Sequence, residues 1–258
     1  FLSTNILKKD NLKKVINSSI KLTKSSSNIG EKITLTKEKP NKRKYKVNQK
    51  IKLENLSPLE KIKILQETFR SLQKTKVKIP NSFLSLSDNT TRQLFMNSEG
   101  SKIESEIPRV LFNHIITVLA NNKSSQIYWE QSGSGGYEIV KKWNIQDSIA
   151  NEAKALEKNL KSGVKVKKGK QNLVVSQEIT GIMVHESAGH PTEADRIFGR
   201  EAAQAGESFI EKNSLGKRIG SNQVTIVDDP TIPNSSGFYL FDDEGVKARR
   251  KILYKNGL

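Results

Sequence analysis

At Ser82 the spacing of apolar residues changes, and that change limits what this chain can become. Before it, apolar positions recur at helical intervals: Leu12, Val15, Ile16 and Ile20 in Asp10 to Ser25, then Ile62, Ile64, Leu65 and Phe69. The second helix opens on a strong signal, with Ser57 as N-cap, Pro58 at the first helical position and Glu60 as the returning partner of a capping box. After it, Phe83 to Leu86, Arg92 to Met96, Lys102 to Ile107 and Val110 to Leu119 read as strands of an antiparallel meander, with Asn97 to Gly100 as a four-residue turn. His114 falls in the fourth of these, where a lone histidine among apolar residues reads as a hydrogen-bonded core residue.

Helical spacing then returns. The glycine-rich run Gly133 to Gly136 lacks the pattern of a phosphate cradle and reads as a flexible connection. It leads to a helix capped by Asp147, carrying Ile149, Ala153, Leu156 and Leu160 and ending near Gly163. A strand over Asn172 to Val175, a helix running to Gly189 and a further helix capped by Thr192 follow. Beyond Gly216 the pattern is strand-like at Val224 to Val227, Phe238 to Phe241 and Lys251 to Tyr254. The fold class expected is therefore α+β: an N-terminal α+β region with antiparallel strands and flanking helices, then the start of a mainly β C-terminal domain that reads as truncated. The divisions expected are a basic, partly irregular segment over 1–50, an α+β domain over 51–140, a helical region over 141–220 and a β-rich start over 221–258.

His185-Glu186-Ser187-Ala188-Gly189-His190 carries the chemistry, since it holds two of the chain's three histidines with a carboxylate between them. Neutral imidazoles are good ligands for zinc and similar ions, and a glutamate beside the first ligand can serve as a base toward water. The histidines are five residues apart, not the four that place both on one helical face, and on an ideal helix they would diverge by roughly 140°. Gly189 permits a break, and Pro191 disfavours the α conformation at His190. The expectation is that His190 lies just past the helix end. Two surface histidines near a helix terminus, or one buried histidine and one capping residue, would give the same pattern.

The surrounding residues resemble the TldD/PmbA metallopeptidases, in the metal-bearing TldD-like branch. The resemblance runs through Leu173-Val174-Val175, Gly181-Ile182-Met183-Val184-His185-Glu186, Gly189-His190, Glu193 and Asp195. It continues in Val227-Asp228-Asp229, Thr231-Ile232-Pro233-Asn234 and Asp242-Asp243-Glu244-Gly245, with Asn97-Ser98-Glu99-Gly100 and Gly133 to Gly136 upstream. It implies a cytoplasmic metal-dependent peptidase in which His185 and His190 bind the metal, zinc, and Glu186 is general base. It also implies a homodimer, or a heterodimer with a metal-free PmbA-like subunit, acting on extended peptides. A cysteine far downstream is the family's third ligand, and this chain has none. The chain opens on Phe1 and closes on Lys251 to Leu258, a strand-like run followed by the hairpin-turn pair Asn256-Gly257 with no returning strand, so the third ligand is expected outside these residues. Within them the alternatives are Glu193, Asp195, His114 and the Asp242 to Glu244 cluster.

Charge raises a different reading. Residues 1–80 hold 21 Lys and Arg against 6 Asp and Glu, a balance of +15 out of +17 overall. Such a block can be a footprint for nucleic acid. Its densest part, Lys42-Arg43-Lys44-Tyr45-Lys46, reads as a polar linker, within a stretch where only Ile33-Thr34-Leu35 suggests a strand. With Phe1, Tyr45 and Phe69 as the aromatics there, stacking platforms for single strands are thin, and a solvated lysine-rich face is the preferred reading. A non-catalytic subunit or scaffold is the other alternative. No apolar run approaches the roughly 20 residues that span a bilayer.

Overall fold

The computed structural model describes residues 2–27, 36–201 and 208–258. Two compact units result, one ending at Lys39 and the other running from Pro40 to Leu258. The first holds helix α1 (Lys9–Ser26), within one residue of expectation at each end. Its apolar positions are at most half-buried, with Ile16 and Ile20 exposed. The strand expected at Ile33-Thr34-Leu35 lies outside the described residues.

The second unit is built on a long sheet with helices against one face, an α+β arrangement. In chain order it contains β1 (Lys42–Lys46), α2 (Pro58–Lys74), β2 (Asn81–Met96), β3 (Lys102–Ala120), β4 (Lys123–Ser134), α3 (Glu138–Lys142) and α4 (Ile145–Ser162). Helices α5 (Gln177–Val184) and α6 (Ala194–Ile197) follow, then strands β5 (Ile226–Asp228) and β6 (Lys251–Tyr254). Strand β3 is the spine. One side pairs antiparallel with β2 from Asn81↔Thr117 to Met96↔Lys102. The other side changes partner part-way, parallel to β1 over Lys102–Glu106 and antiparallel to β4 over Arg109–Ala120. Pro108, which has no N–H to give, sits at that changeover.

The four expected strands are thus two. Polar Ser87 to Thr91 lie within β2 and Pro108 within β3, and unbroken pairing between the two strands carries both through. Two strands were not anticipated. β1 is the basic run read as linker, held by its parallel ladder and by Lys44 Nζ at 3.0 Å from Glu104. β4 follows a two-residue turn in which Asn121 (φ 51°) and Asn122 (φ 55°) both take the left-handed conformation that a type I′ hairpin needs.

Elsewhere, residues 172–175 form no strand, and Phe238 to Phe241 contribute only a bridge from Phe241 to Lys247. The glycine-rich connection is packed, not loose. Gly135 N–H donates to Pro108 O at 3.0 Å, and a Cβ on Gly136 would stand 2.1 Å from Ile51 O. Asn144, at φ 48°, occupies the N-cap of α4, and Asp147 instead accepts a bond from the Asn144 amide at 2.9 Å.

Two clusters fill the space between sheet and helices. Phe112, Val110, Tyr137 and Ile145 form one; Ile116, Val118, Leu72, Ile149 and Ala153 form the other. His114, 1% exposed, lies in β3 with Nε2 2.6 Å from Glu152 of α4, as a core histidine should. Among the described residues no helix is long and apolar enough to cross a membrane.

Candidate metal centre

Helix α5 begins where Ser176 accepts a hydrogen bond from Ile179 N–H at 3.4 Å. At its far end the backbone does not break at Gly189. It widens: His185–Gly189 form a π-helical turn, closed by His190 N–H donating to His185 O. His190 keeps right-handed helical angles (φ −56°, ψ −44°) in spite of Pro191, and a short 3₁₀ turn over His190–Thr192 follows. This corrects the expected break, and the physics is direct. A turn whose hydrogen bond spans five residues places residues i and i+5 one above the other, which an α turn does for i and i+4. The five-residue spacing is matched to it. Pro191 then ends the element, because it has no N–H to continue the ladder.

Thr192 does not cap α6. Its hydroxyl donates back to Ala188 O at 2.8 Å and Gly189 O at 3.0 Å, closing the carbonyl end of the turn. Ala188 is fully buried and packs against Ile226 and Tyr254, so β5 and β6 form the floor beneath the turn.

The rings of His185 and His190 lie 4.4 Å apart between centroids, at 72° to each other. Together with Glu186 they offer one donor atom each, all within 4.8 Å of one another. Glu186 Oε2 is 4.0 Å from His190 Nε2. Behind His190 stands a brace that includes a residue beyond the motif: Nδ1 is 2.7 Å from Glu193 Oε1, and Arg196 Nε donates to Glu193 Oε2 at 2.8 Å. These bonds hold the Glu193 carboxyl below its usual pKa, the bond from Arg196 foremost and that from His190 next. With Nδ1–H given to a carboxylate, the Nε2 lone pair is left toward Glu186, which is how a metal-ligating histidine is oriented. Two imidazole nitrogens, one of them braced by a carboxylate, fit two ligand positions of a divalent ion of zinc type, with the Glu186 carboxylate beside them. His185 and Glu186 are exposed and His190 half-buried, so the site is open to a large substrate.

The other candidate donors are engaged elsewhere. His114 is in the sheet core with Glu152. Asp242 accepts from the N–H groups of Glu244 and Val246 at 3.0 and 2.9 Å, and Asp243 from Gln93 at 3.0 Å. Asp195 is the exception: it groups with Glu193, the brace of His190, and with Glu201, donor atoms of all three lying within 4.8 Å of one another. Arg196 was missed from the sequence, although its place three residues after Glu193 is the spacing of a helical ion pair.

The PmbA/TldA metallopeptidase central domain matches residues 51–160, and the PmbA/TldA metallopeptidase C-terminal domain matches residues 168–258. The chain belongs to the TldD/PmbA metallopeptidase family. A metalloprotease of Methanocaldococcus jannaschii is 32% identical over 259 aligned positions, covering 100% of this chain and 55% of that protein. A zinc metalloprotease TldD homolog of Saccharolobus solfataricus is 34% identical over 125 positions, 48% of this chain and 26% of that one. The crystal structure of TldE from Thermococcus kodakarensis shares the fold, with a TM-score of 0.66 at 17% identity over 98% of this chain and 54% of its own. The chain spans about half the length of the curated relatives it matches most fully.

Proposed function

We propose that the protein is a metal-dependent peptidase of the TldD-like branch that hydrolyses extended or unfolded peptides. The observation that carries this reading is the convergence of His185, Glu186 and His190 on a π-helical turn, with His190 braced through Nδ1 by Glu193. His185 and His190 are the residues that hold the ion, and the zinc named for the Saccharolobus relative suits their nitrogens. A bound divalent ion would supply Lewis acidity toward the scissile carbonyl and a water molecule.

The chain's own groups do the rest. Glu186 is exposed and next in sequence to a ligand, so its carboxylate is placed to take the proton of the attacking water and return it to the leaving amine. Glu193 and Arg196 keep the His190 ring from rotating. The open setting lets an extended chain lie across the turn. The protein would act in the cytoplasm, as a homodimer or with a PmbA-like subunit. The basic-block alternative is weakened by its densest part being a sheet strand with Lys44 paired to Glu104.

Elemental mass spectrometry and peptide hydrolysis test the reading together. About one zinc per chain is expected, lost in His185→Ala and in His190→Ala. Glu186→Gln should keep the zinc and lose turnover; undiminished hydrolysis by that variant would overturn the assignment of the base.

A further inference from the structure

Helix α1 has an apolar face that nothing among the described residues buries. At about 100° per residue, Leu22, Val15, Leu12, Ile16 and Ile20 fall within one arc of roughly 160°. No residue of the helix is buried, and Ile16, Ile20 and Leu22 are 49%, 47% and 70% exposed. The rest of the circumference is polar and basic. Lys13 and Lys24 stand just past Ile20, Lys14 and Lys21 lie opposite the arc, and Lys9 belongs to the first turn. Against these five lysines the helix has one acid, Asp10.

An 18-residue helix standing alone in water is marginal, since helices draw most of their stability from packing an apolar face. Whatever covers the arc must accept Leu, Val and Ile side chains and must also carry negative charge along their border. A second copy of this chain meets the second demand poorly, because two chains of formal charge +17 repel. Nucleic acid would take the lysines but has no apolar bed for the arc, and α1 has no aromatic ring to stack on bases. A bilayer with anionic headgroups meets both demands, its negative surface lying directly over the acyl boundary.

We infer that α1 is a membrane-surface anchor that lies in the plane of an anionic bilayer, with Leu12, Val15, Ile16 and Ile20 at the headgroup and acyl boundary. Lys9 and Lys13, next to the arc, bury their methylene stems and keep their ammonium groups among the headgroups. Lys14 and Lys21, on the far side, act through the surface field, so binding is reversible and weakens as salt screens it. Cytoplasmic leaflets, rich in anionic lipid, present such a surface. The anchor does not depend on the peptidase reading.

Flotation of the full-length protein with vesicles tests the assignment. Phosphatidylcholine vesicles with about 30% phosphatidylserine should bind it at least tenfold more tightly than phosphatidylcholine alone, and about 0.5 M salt should release it. Two sets of substitutions locate the effect on the helix. Ile16→Ser with Ile20→Ser removes apolar contact; Lys13→Gln, Lys14→Gln, Lys21→Gln and Lys24→Gln together remove charge. Each set should weaken binding at least tenfold. All six side chains are exposed, so the unfolding transition followed by circular dichroism should not move. Failure of the wild-type protein to bind anionic vesicles overturns the anchor, and so does binding that both variant proteins retain. Loss in the lysine set alone would show attraction without insertion and overturns the in-plane helix. A Tm lowered by several degrees in the isoleucine set, with no vesicle binding by the wild-type protein, would show that the arc is covered by protein instead. Peptide hydrolysis enters none of these readings, so the anchor and the peptidase stand or fall separately.

Discussion

His190 shows how a residue's neighbours decide what it can do. An imidazole has two nitrogens, and the Glu193 carboxylate 2.7 Å from Nδ1 settles which one is free. Glu193→Ala should therefore weaken zinc binding by about 10–100-fold, the usual cost of losing such a support, while His190→Ala removes binding altogether. Competition with a chromogenic chelator measures both. Equal loss in the two variants would mean that Glu193 is itself a ligand. Tyr254 offers a complementary test of an unpaired group. Removing its buried hydroxyl breaks no bond among the described residues, so Tyr254→Phe is expected to hold or raise stability to denaturant, by at most about 1–3 kcal/mol. A loss of that size would reveal a hydrogen bond to a buried water.

At the level of elements, the sequence was most legible where the signal is local. The capping box of α2 is present in full: Ser57 Oγ accepts from Glu60 N–H at 3.3 Å, and Glu60 Oε2 accepts from Ser57 N–H at 2.8 Å. Ser57→Ala should cost roughly 0.5–2 kcal/mol in chemical denaturation. The Glu60 carboxyl is held below its ordinary pKa, chiefly by the Ser57 N–H and then by the hydroxyl. A lowered folded pKa means that this contribution is complete above the ordinary carboxylate range and is lost as pH falls through the lowered value. In Ser57→Ala that acid-side loss should shrink. Signals that need a partner were not legible. Lys42 to Lys46 has no apolar alternation and becomes a strand only because β3 offers a free edge. The hairpin at Asn121-Asn122 could have been read from two adjacent asparagines, which tolerate positive φ. The two histidines were found as a pair, but their geometry was not, since Gly189 and Pro191 suggested a break where the backbone forms a wider turn. Gly189 has φ −62° and its nearest neighbour to an added Cβ is His185 Nδ1 at 3.9 Å. Gly189→Ala should accordingly keep the fold and the zinc. A fall of several degrees in Tm would show that the turn requires glycine.

In the larger unit, the segment between β5 and β6 ties the floor of the metal turn to the sheet. Arg109 of β3 donates through Nε to Ser236 O at 2.9 Å, Asn234 Nδ2 to Ser134 O at 2.9 Å, and Leu240 N–H to the Tyr45 hydroxyl at 3.2 Å. Gly245 completes the attachment, where a Cβ would meet the Phe95 ring at 2.4 Å. None of these contacts has a local signature, because each joins residues about 100 or more positions apart. Their consequence is mechanical: β5 and β6 carry Ile226 and Tyr254 under Ala188, so a loosened segment loosens the floor of the site. A hydrogen bond from a charged donor is worth about 1.5–3 kcal/mol, enough for a tenfold or larger change in local opening. Arg109→Ala should therefore speed proteolytic cleavage within residues 229–247 by roughly tenfold, with cleavage of α2 and α4 little changed. Zinc should still bind, since no donor is touched, but peptide hydrolysis should slow as the turn loses its fixed floor. Unchanged cleavage of residues 229–247 would show that the remaining contacts hold the segment without the arginine.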